Sequence, residues 1–324
     1  MEIIGNSGWY SLNKQFHIIF IINLVTGISS LVLSLIFFCA YCSRTSSRNA
    51  SLILKIILDC DIAATLGTIA RSIHGLVQDD FNVNESFMTN IYSCVFNYHI
   101  IWTAIFYQLP TLLVFVLALD RYLAINFSLW FKAVTIAKGP LIGYCFLTVV
   151  LTIIVGFMNA IYMSPLEKVH YTCPIFDGFG YQYGNGIKLF MISYLCFSLI
   201  LNASALRQVI SKGGTRKFGG FLNRQKFESR MTKRSFYITF YFTIATVIPL
   251  ILSLISESQP NSWTPIKEII LSLIFIRPII NCIAIWRIFP QHVKFSFCKK
   301  EKSQNAVQQV QLDANYINNN SFSH

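Results

Sequence analysis

The chain has 324 residues, 54% of them apolar and only 12% charged, with a mean hydropathy of +0.54 and a net charge of +12. A soluble domain carries nearer a quarter charged residues, so this composition excludes a water-soluble globular protein and specifies a polytopic membrane protein. In a soluble chain the positive balance would suggest nucleic acid; here the cytoplasmic loops of a membrane protein account for it, and no nucleic-acid partner is expected.

The first residues (MEIIGNSGWYSLNKQFH) lack a basic start followed directly by a short apolar core and a small-residue cleavage site. No cleaved signal peptide is therefore expected, and the first span serves as its own insertion signal. Seven apolar segments follow, at about 17–41, 52–77, 91–119, 140–162, 187–210, 236–256 and 268–286. At about 1.5 Å per residue each can cross a hydrocarbon core of about 30 Å as a helix. Of the 26 Lys and Arg, 20 fall on one side of this arrangement, and four (Lys14, Lys168, Lys188, Lys267) on the other; Arg71 and Arg277 lie within segments. Lys and Arg accumulate on the cytosolic side, which puts the N-terminus outside and the C-terminus in the cytosol. The expected organisation is a short extracellular N-terminus (1–16), a seven-helix bundle (17–298) and a disordered cytosolic tail (299–324) that is polar and Gln/Asn-rich.

The second segment carries Asp59 and Asp61, which stand about 200° apart on a helix, so only one can point squarely into the bundle. A charge at the centre of a spanning helix costs about 2.5–3.5 kcal/mol and should face a partner. Arg277 in the seventh segment and Asp61 each lie nine residues from the inner boundary of their segment, roughly 13 Å deep, and an internal salt bridge between them is expected. Arg71, near the outer end of the second segment, either meets an acidic or carbonyl ligand or snorkels to the interface. Asn84-Glu85-Ser86 is a glycosylation sequon in the following outer loop, supporting evidence only, since sequons also occur at Asn49, Asn126 and Asn319 in expected cytosolic segments.

Between Cys94 and Asp120 the third segment runs for 25 residues without a formal charge, then ends in Asp120-Arg121-Tyr122 and a basic loop. On its outer half His99, Trp102, Thr103 and Phe106 fall roughly on one face, which is either core packing or the wall of a ligand pocket. The stretch Tyr171 to Gly186 makes a long second outer loop. The third inner loop, 211–235, holds eight basic residues against Glu228 and suits both anionic lipid and a docking partner. After the seventh segment Phe289, Val293 and Phe297 recur every four residues among lysines, the pattern of a short amphipathic interfacial helix, and Cys298 beside it is a weak palmitoylation candidate. The nine cysteines show no CxxC spacing, so no metal site is expected, nor any cofactor. An enzyme is not expected either, because His-x-x-x-His, Gly-x-Ser-x-Gly and Gly-x-Gly-x-x-Gly are absent.

Seven helices, an outside N-terminus, Asp120-Arg121-Tyr122 at the inner end of the third helix and prolines in the last two (Pro249, Pro278) together resemble the rhodopsin-like G protein-coupled receptors over residues 17–298. The details depart from that family. The fourth helix lacks its usual tryptophan, Thr246-Val247-Ile248-Pro249 stands where the family has Cys-Trp-x-Pro, and Arg277-Pro278-Ile279-Ile280-Asn281 stands where Asn-Pro-x-x-Tyr is usual. Cys94 is about two residues further from the arginine than the family pattern has it. Such divergence, with Phe/Ile/Tyr-rich helices and a short N-terminus, looks like the nematode serpentine chemoreceptors, in texture the class BC receptors.

The resemblance implies a plasma-membrane receptor, in a sensory neuron if the nematode likeness holds, that binds a small-molecule ligand and activates a heterotrimeric G protein. In that reading Asp120 restrains Arg121 at rest and releases it to the G protein when the sixth helix swings outward; the bland reading is an ion pair that only marks a helix end. No carboxylate at the basic start of the sixth helix (Met231 to Ser235) stands ready to latch Arg121, and Glu228 is a poor substitute. The family's disulfide maps onto Cys94 and Cys173, and its helix-two aspartate, part of a sodium site, onto Asp61, where the cationic Arg277 opposes sodium binding. The alternative class is a seven-span transporter or ligand-gated channel. Transporters usually show repeats and broken helices, which are not evident here, and channels of the insect odorant type have the reverse orientation.

Overall fold

In hydrocarbon every backbone N–H and C=O must find a partner within the protein, so long apolar runs fold as helices. The computed structural model describes residues 6–42, 49–81, 88–127, 138–163, 168–170, 173, 177–213, 221–257, 269–270 and 272–288. The long helices are α1 (Asn6–Cys42), α2 (Asn49–Phe81), α4 (Tyr98–Asn126), α5 (Lys138–Met163), α6 (Tyr181–Gly213) and α7 (Phe221–Glu257), with a short α3 (Ile91–Val95) before α4. A 3-10 turn (Leu273–Ile276) leads into α8 (Arg277–Ile288). Five of these helices are long and apolar enough to cross a membrane: Gln15–Ala40, Tyr98–Asn126, Pro140–Met163, Tyr181–Ser211 and Ser229–Ser256. The architecture is that of a helical membrane protein. α2 carries Lys55, Asp59, Asp61 and Arg71, and α8 has only 12 residues, which accounts for the two expected spans outside that group.

α1 packs on α2, α2 on α4, α4 on α6, α6 on α7, α7 on α8, and α8 returns to α1 and α2, closing a ring of six. α5 leans on the outside of α4: 22% of its most apolar stretch is buried, against 72% for α4, which makes α4 the axis of the bundle. Lipid gives helices no hydrophobic reason to associate, so close packing and polar contacts must hold them. Gly67 on α2 is one point of close approach, since a Cβ there would meet Trp102 Cδ1 at 2.8 Å and Thr103 Oγ1 at 2.9 Å. Polar clamps recur between elements. Ser30 Oγ on α1 donates to Phe275 O (3.3 Å), and on α6 Asn202 Nδ2 donates to Thr239 Oγ1 of α7 (2.8 Å) while accepting from Ser235 Oγ (3.1 Å).

Four features differ from the sequence expectation. The third segment is interrupted at Phe96 and Asn97, so Cys94 sits on its own short helix, a break that takes up its offset from the arginine. The inner loop between the fifth and sixth segments is short: α6 runs to Gly213 and α7 begins at Phe221, because 221–235 (FLNRQKFESRMTKRS) has no Gly or Pro and is rich in good helix formers. The seventh segment is helical at 269–270 and 272, passes through the 3-10 turn and resumes as an α-helix at Arg277, whose N–H bonds Ile274 O, with Pro278 in the first turn where a missing N–H is tolerated. The outer loops form an unexpected two-stranded antiparallel sheet, Met88–Asn90 against Lys168–His170, with Thr89 opposite Val169. Asn84, Phe289, Val293, Phe297, Cys298 and the tail 299–324 lie outside the described residues.

Candidate functional site

The candidate residues fall at four levels along α4. At the outer end Cys94 and Cys173 are joined by a disulfide with Cα atoms 5.4 Å apart, packed among Ile91, Val95, Ala104, Ala160 and Phe179. Asn97 Nδ2 lies 3.5 Å from Cys173 Sγ, so the break before α4 and the second outer loop are fastened at one point.

One turn below, α2 and α4 face each other through basic groups. Arg71 is 3% exposed and so does not snorkel to the interface. His99, 1% exposed, has its ring 5.1 Å from that of His74, and neither of its nitrogens has a hydrogen-bond partner among the described residues. Thr103 is buried beside them, but its hydroxyl donates to His99 O within the helix. Trp102 does not join this group. It is 43% exposed, with Nε1 donating to Ala63 O (2.6 Å) and its ring 4.8 Å from Phe106, so Trp102 and Phe106 cover the outer seam between α2 and α4. The expected stripe divides because positions three apart are about 60° off one another, enough to separate inside from outside. His74 was missed; its signal in the sequence is its place three residues after Arg71, on the same helical face.

Near mid-bundle lies a fully buried ion pair. Asp61 faces inward while Asp59 is exposed, and Arg277 donates to Asp61 Oδ1 from Nη2 (2.9 Å) and Nε (3.2 Å). Asn281, one turn further along α8, donates to Asp61 Oδ2 at 2.7 Å. Arg277 itself is 0% exposed, with its guanidinium 4.4 Å from the Tyr107 ring centre and 5.1 Å from that of Phe242. Its remaining hydrogens point to Phe106 O (3.4 Å) and Tyr107 O (3.5 Å). Phe106 O is available because Pro110, inside α4, has no N–H to give to the carbonyl four residues back. Tyr107, Pro110, Phe242 and Asn281 were not singled out in the sequence; a proline interrupting the N–H ladder of an apolar helix opposite an intramembrane arginine is the signal that finds the first two. With the Asp61 carboxylate filled by Arg277 and Asn281, this centre holds a salt bridge where a sodium ion would need those same oxygens.

At the inner end Asp120 Oδ2 lies 2.9 Å from Arg121 Nη2, the arginine side chain being 18% exposed. Tyr122, Asn126 and Phe127 of this end, with Gln208 and Ser211 of α6, line a cavity of about 480 Å³. The side chain of Glu228 lies outside the described residues. No group of three or more His, Cys, Asp or Glu that could hold a metal occurs among the described residues. Compared with known proteins, the chain matches no protein-family model and no curated sequence.

Proposed function

We propose that the chain is a seven-helix receptor of the rhodopsin-like G protein-coupled type, chemosensory and similar to the nematode serpentine receptors. Its spans are α1, α2, α4, α5, α6, α7 and the unit made by the 3-10 turn with α8, with the N-terminus outside and the C-terminus in the cytosol. A small ligand bound at the outer end moves the inner half of α7 outward, and Arg121 then leaves Asp120 to meet a heterotrimeric G protein. The protein has no catalytic activity of its own.

The observation that carries this reading is the setting of Arg121. It lies in the last turns of the most buried of the candidate spanning helices, paired at 2.9 Å with Asp120 and next to Tyr122, which lines a cavity between the inner ends of α4 and α6. The same end carries the basic stretch 211–235, suited to a partner and to anionic lipid. The clamp from Asn202 to Ser235 and Thr239 supplies a contact that α7 must loosen to move away from α6. The test is Arg121→Ala in a purified receptor with a purified G protein: surface expression stays close to wild type and agonist-driven nucleotide exchange is abolished. Exchange at wild-type strength would reduce Asp120-Arg121-Tyr122 to a helix-end marker.

A further inference from the structure

We infer that the Arg277 guanidinium is a latch on α7, holding that helix at rest through the ring of Phe242. This rests on the receptor reading and supplies a restraint on the helix that has to move, where the sequence from Ser229 to Ser235 (SRMTKRS) has no carboxylate to hold Arg121 across the bundle.

Arg277 meets α7 differently from the other helices around it. Toward α2 it makes short hydrogen bonds, Nη2 and Nε to Asp61 Oδ1 at 2.9 and 3.2 Å, and toward α4 its hydrogens point to Phe106 O and Tyr107 O. Toward α7 its central carbon stands over the Phe242 ring, 5.1 Å from the centroid, as it stands over Tyr107 at 4.4 Å. Arg277 and Phe242 are both 0% exposed and Tyr107 1%. A cation within about 6 Å of an aromatic face is attracted by the ring's quadrupole, most strongly where water is excluded. Charge-assisted hydrogen bonds are short and fixed in direction, whereas a ring can slide under a cation and lose contact gradually. Of the two sides of Arg277, the Phe242 side is therefore the one that opens, and the ion pair with Asp61 stays.

The position of Phe242 on α7 suits this task. Thr239, one turn earlier, is held to Asn202 of α6, so a single turn of α7 is fastened toward α6 and toward α8 together. Pro249, two turns later, has no N–H for Ala245 O, and the helix bends most easily there. Both fastenings thus lie on the same side of the bend, on the half of α7 that swings.

The test replaces Phe242 with mono-, di- and trifluorophenylalanine, which keep the ring's outline while draining its negative face in steps. The full-length protein in lipid nanodiscs carries spin labels at Ile210→Cys of α6 and Lys233→Cys of α7, both exposed, with Cys39, Cys42, Cys196 and Cys298 replaced by Ser. The population at longer separation should grow with each step, reaching about tenfold over wild type in the trifluoro form, and ligand-free nucleotide exchange should rise with it. The same series should be flat at Phe240, which is 38% exposed, and at Phe242 in the Asp61→Leu, Arg277→Leu protein. Unfolding midpoints show which variants are folded, and the monofluoro form carries the test where the trifluoro form is not. A flat series at Phe242, or an equal response at Phe240 or without the charges, would overturn the latch. A lengthening separation without exchange on any purified G protein supports the latch and sinks the receptor reading; exchange with a flat series does the reverse.

Discussion

Removing either partner of the Asp61 and Arg277 pair should damage the protein more than removing both. With Arg277→Leu the carboxylate keeps only Asn281, at 2.7 Å, and is otherwise enclosed. Losing one side of a buried pair typically costs about 3–5 kcal/mol, more than about a hundredfold in the ratio of folded to misfolded receptor. Asp61→Asn should fall at the lower end, because the new amide oxygen can still accept from Nη2 and the guanidinium retains Phe106 O, Tyr107 O and two aromatic faces. Asp61→Leu with Arg277→Leu leaves neither charge, so the double variant should recover most of the loss, to within about 1–2 kcal/mol of wild type. The exchanged pair, Asp61→Arg with Arg277→Asp, should do better than either half but worse than wild type, because Phe106 O and Tyr107 O are placed for a donor arriving from α8. Surface expression and the unfolding midpoint of the purified proteins measure all of these. If both double variants express no better than the worse single variant, the reasoning fails.

Three further outcomes follow from the fold and its proposed role. A tag on the N-terminus should be accessible on intact cells and one on the C-terminus only after permeabilisation; the reverse pattern would remove the receptor reading. Gly67→Val should destabilise by about 1–3 kcal/mol through overpacking against Trp102 and Thr103, and Trp102→Leu in the same chain should restore part of it. A Gly67→Val protein that unfolds at the wild-type temperature contradicts the close approach. Asn202→Leu removes two interhelical hydrogen bonds worth roughly 1 kcal/mol together, so ligand-free nucleotide exchange should rise about fivefold. Unchanged basal exchange would mean that this clamp does not oppose the movement of α7.

Charges were the legible part of this sequence. An Asp and an Arg inside apolar runs carry so large a penalty that counting residues from the inner boundaries was enough to set Asp61 opposite Arg277, where the geometry places them 2.9 Å apart. Facing was much less legible, because the inside and the outside of a membrane bundle are both apolar and hydrophobic periodicity barely separates them. Trp102 and His99 were therefore put on one face, although one covers the outer seam and the other is enclosed. The partners of Arg277 on α4 were hidden for a different reason: they are backbone carbonyls, only one of which, Phe106 O, is freed by Pro110, and no side-chain pattern marks them. The pairing of Met88–Asn90 with Lys168–His170 was out of reach as well, since three-residue strands far apart in the chain leave no local signal.

The ion pair also sets an order of events during synthesis. Asp61 and Arg277 are separated by 216 residues. At roughly 5–20 residues per second, the arginine is polymerised roughly 10–40 s after the aspartate. Throughout that interval α2 is without its counterion, and Asn281, which fills the other carboxylate oxygen, arrives later still. The nascent α2 must therefore wait in a wet or protein-lined setting, or with Asp61 protonated, until α8 closes the ring. A ribosome stalled before Arg277 would leave Asp61 without the group that answers it, and α8 is the helix that ends that wait.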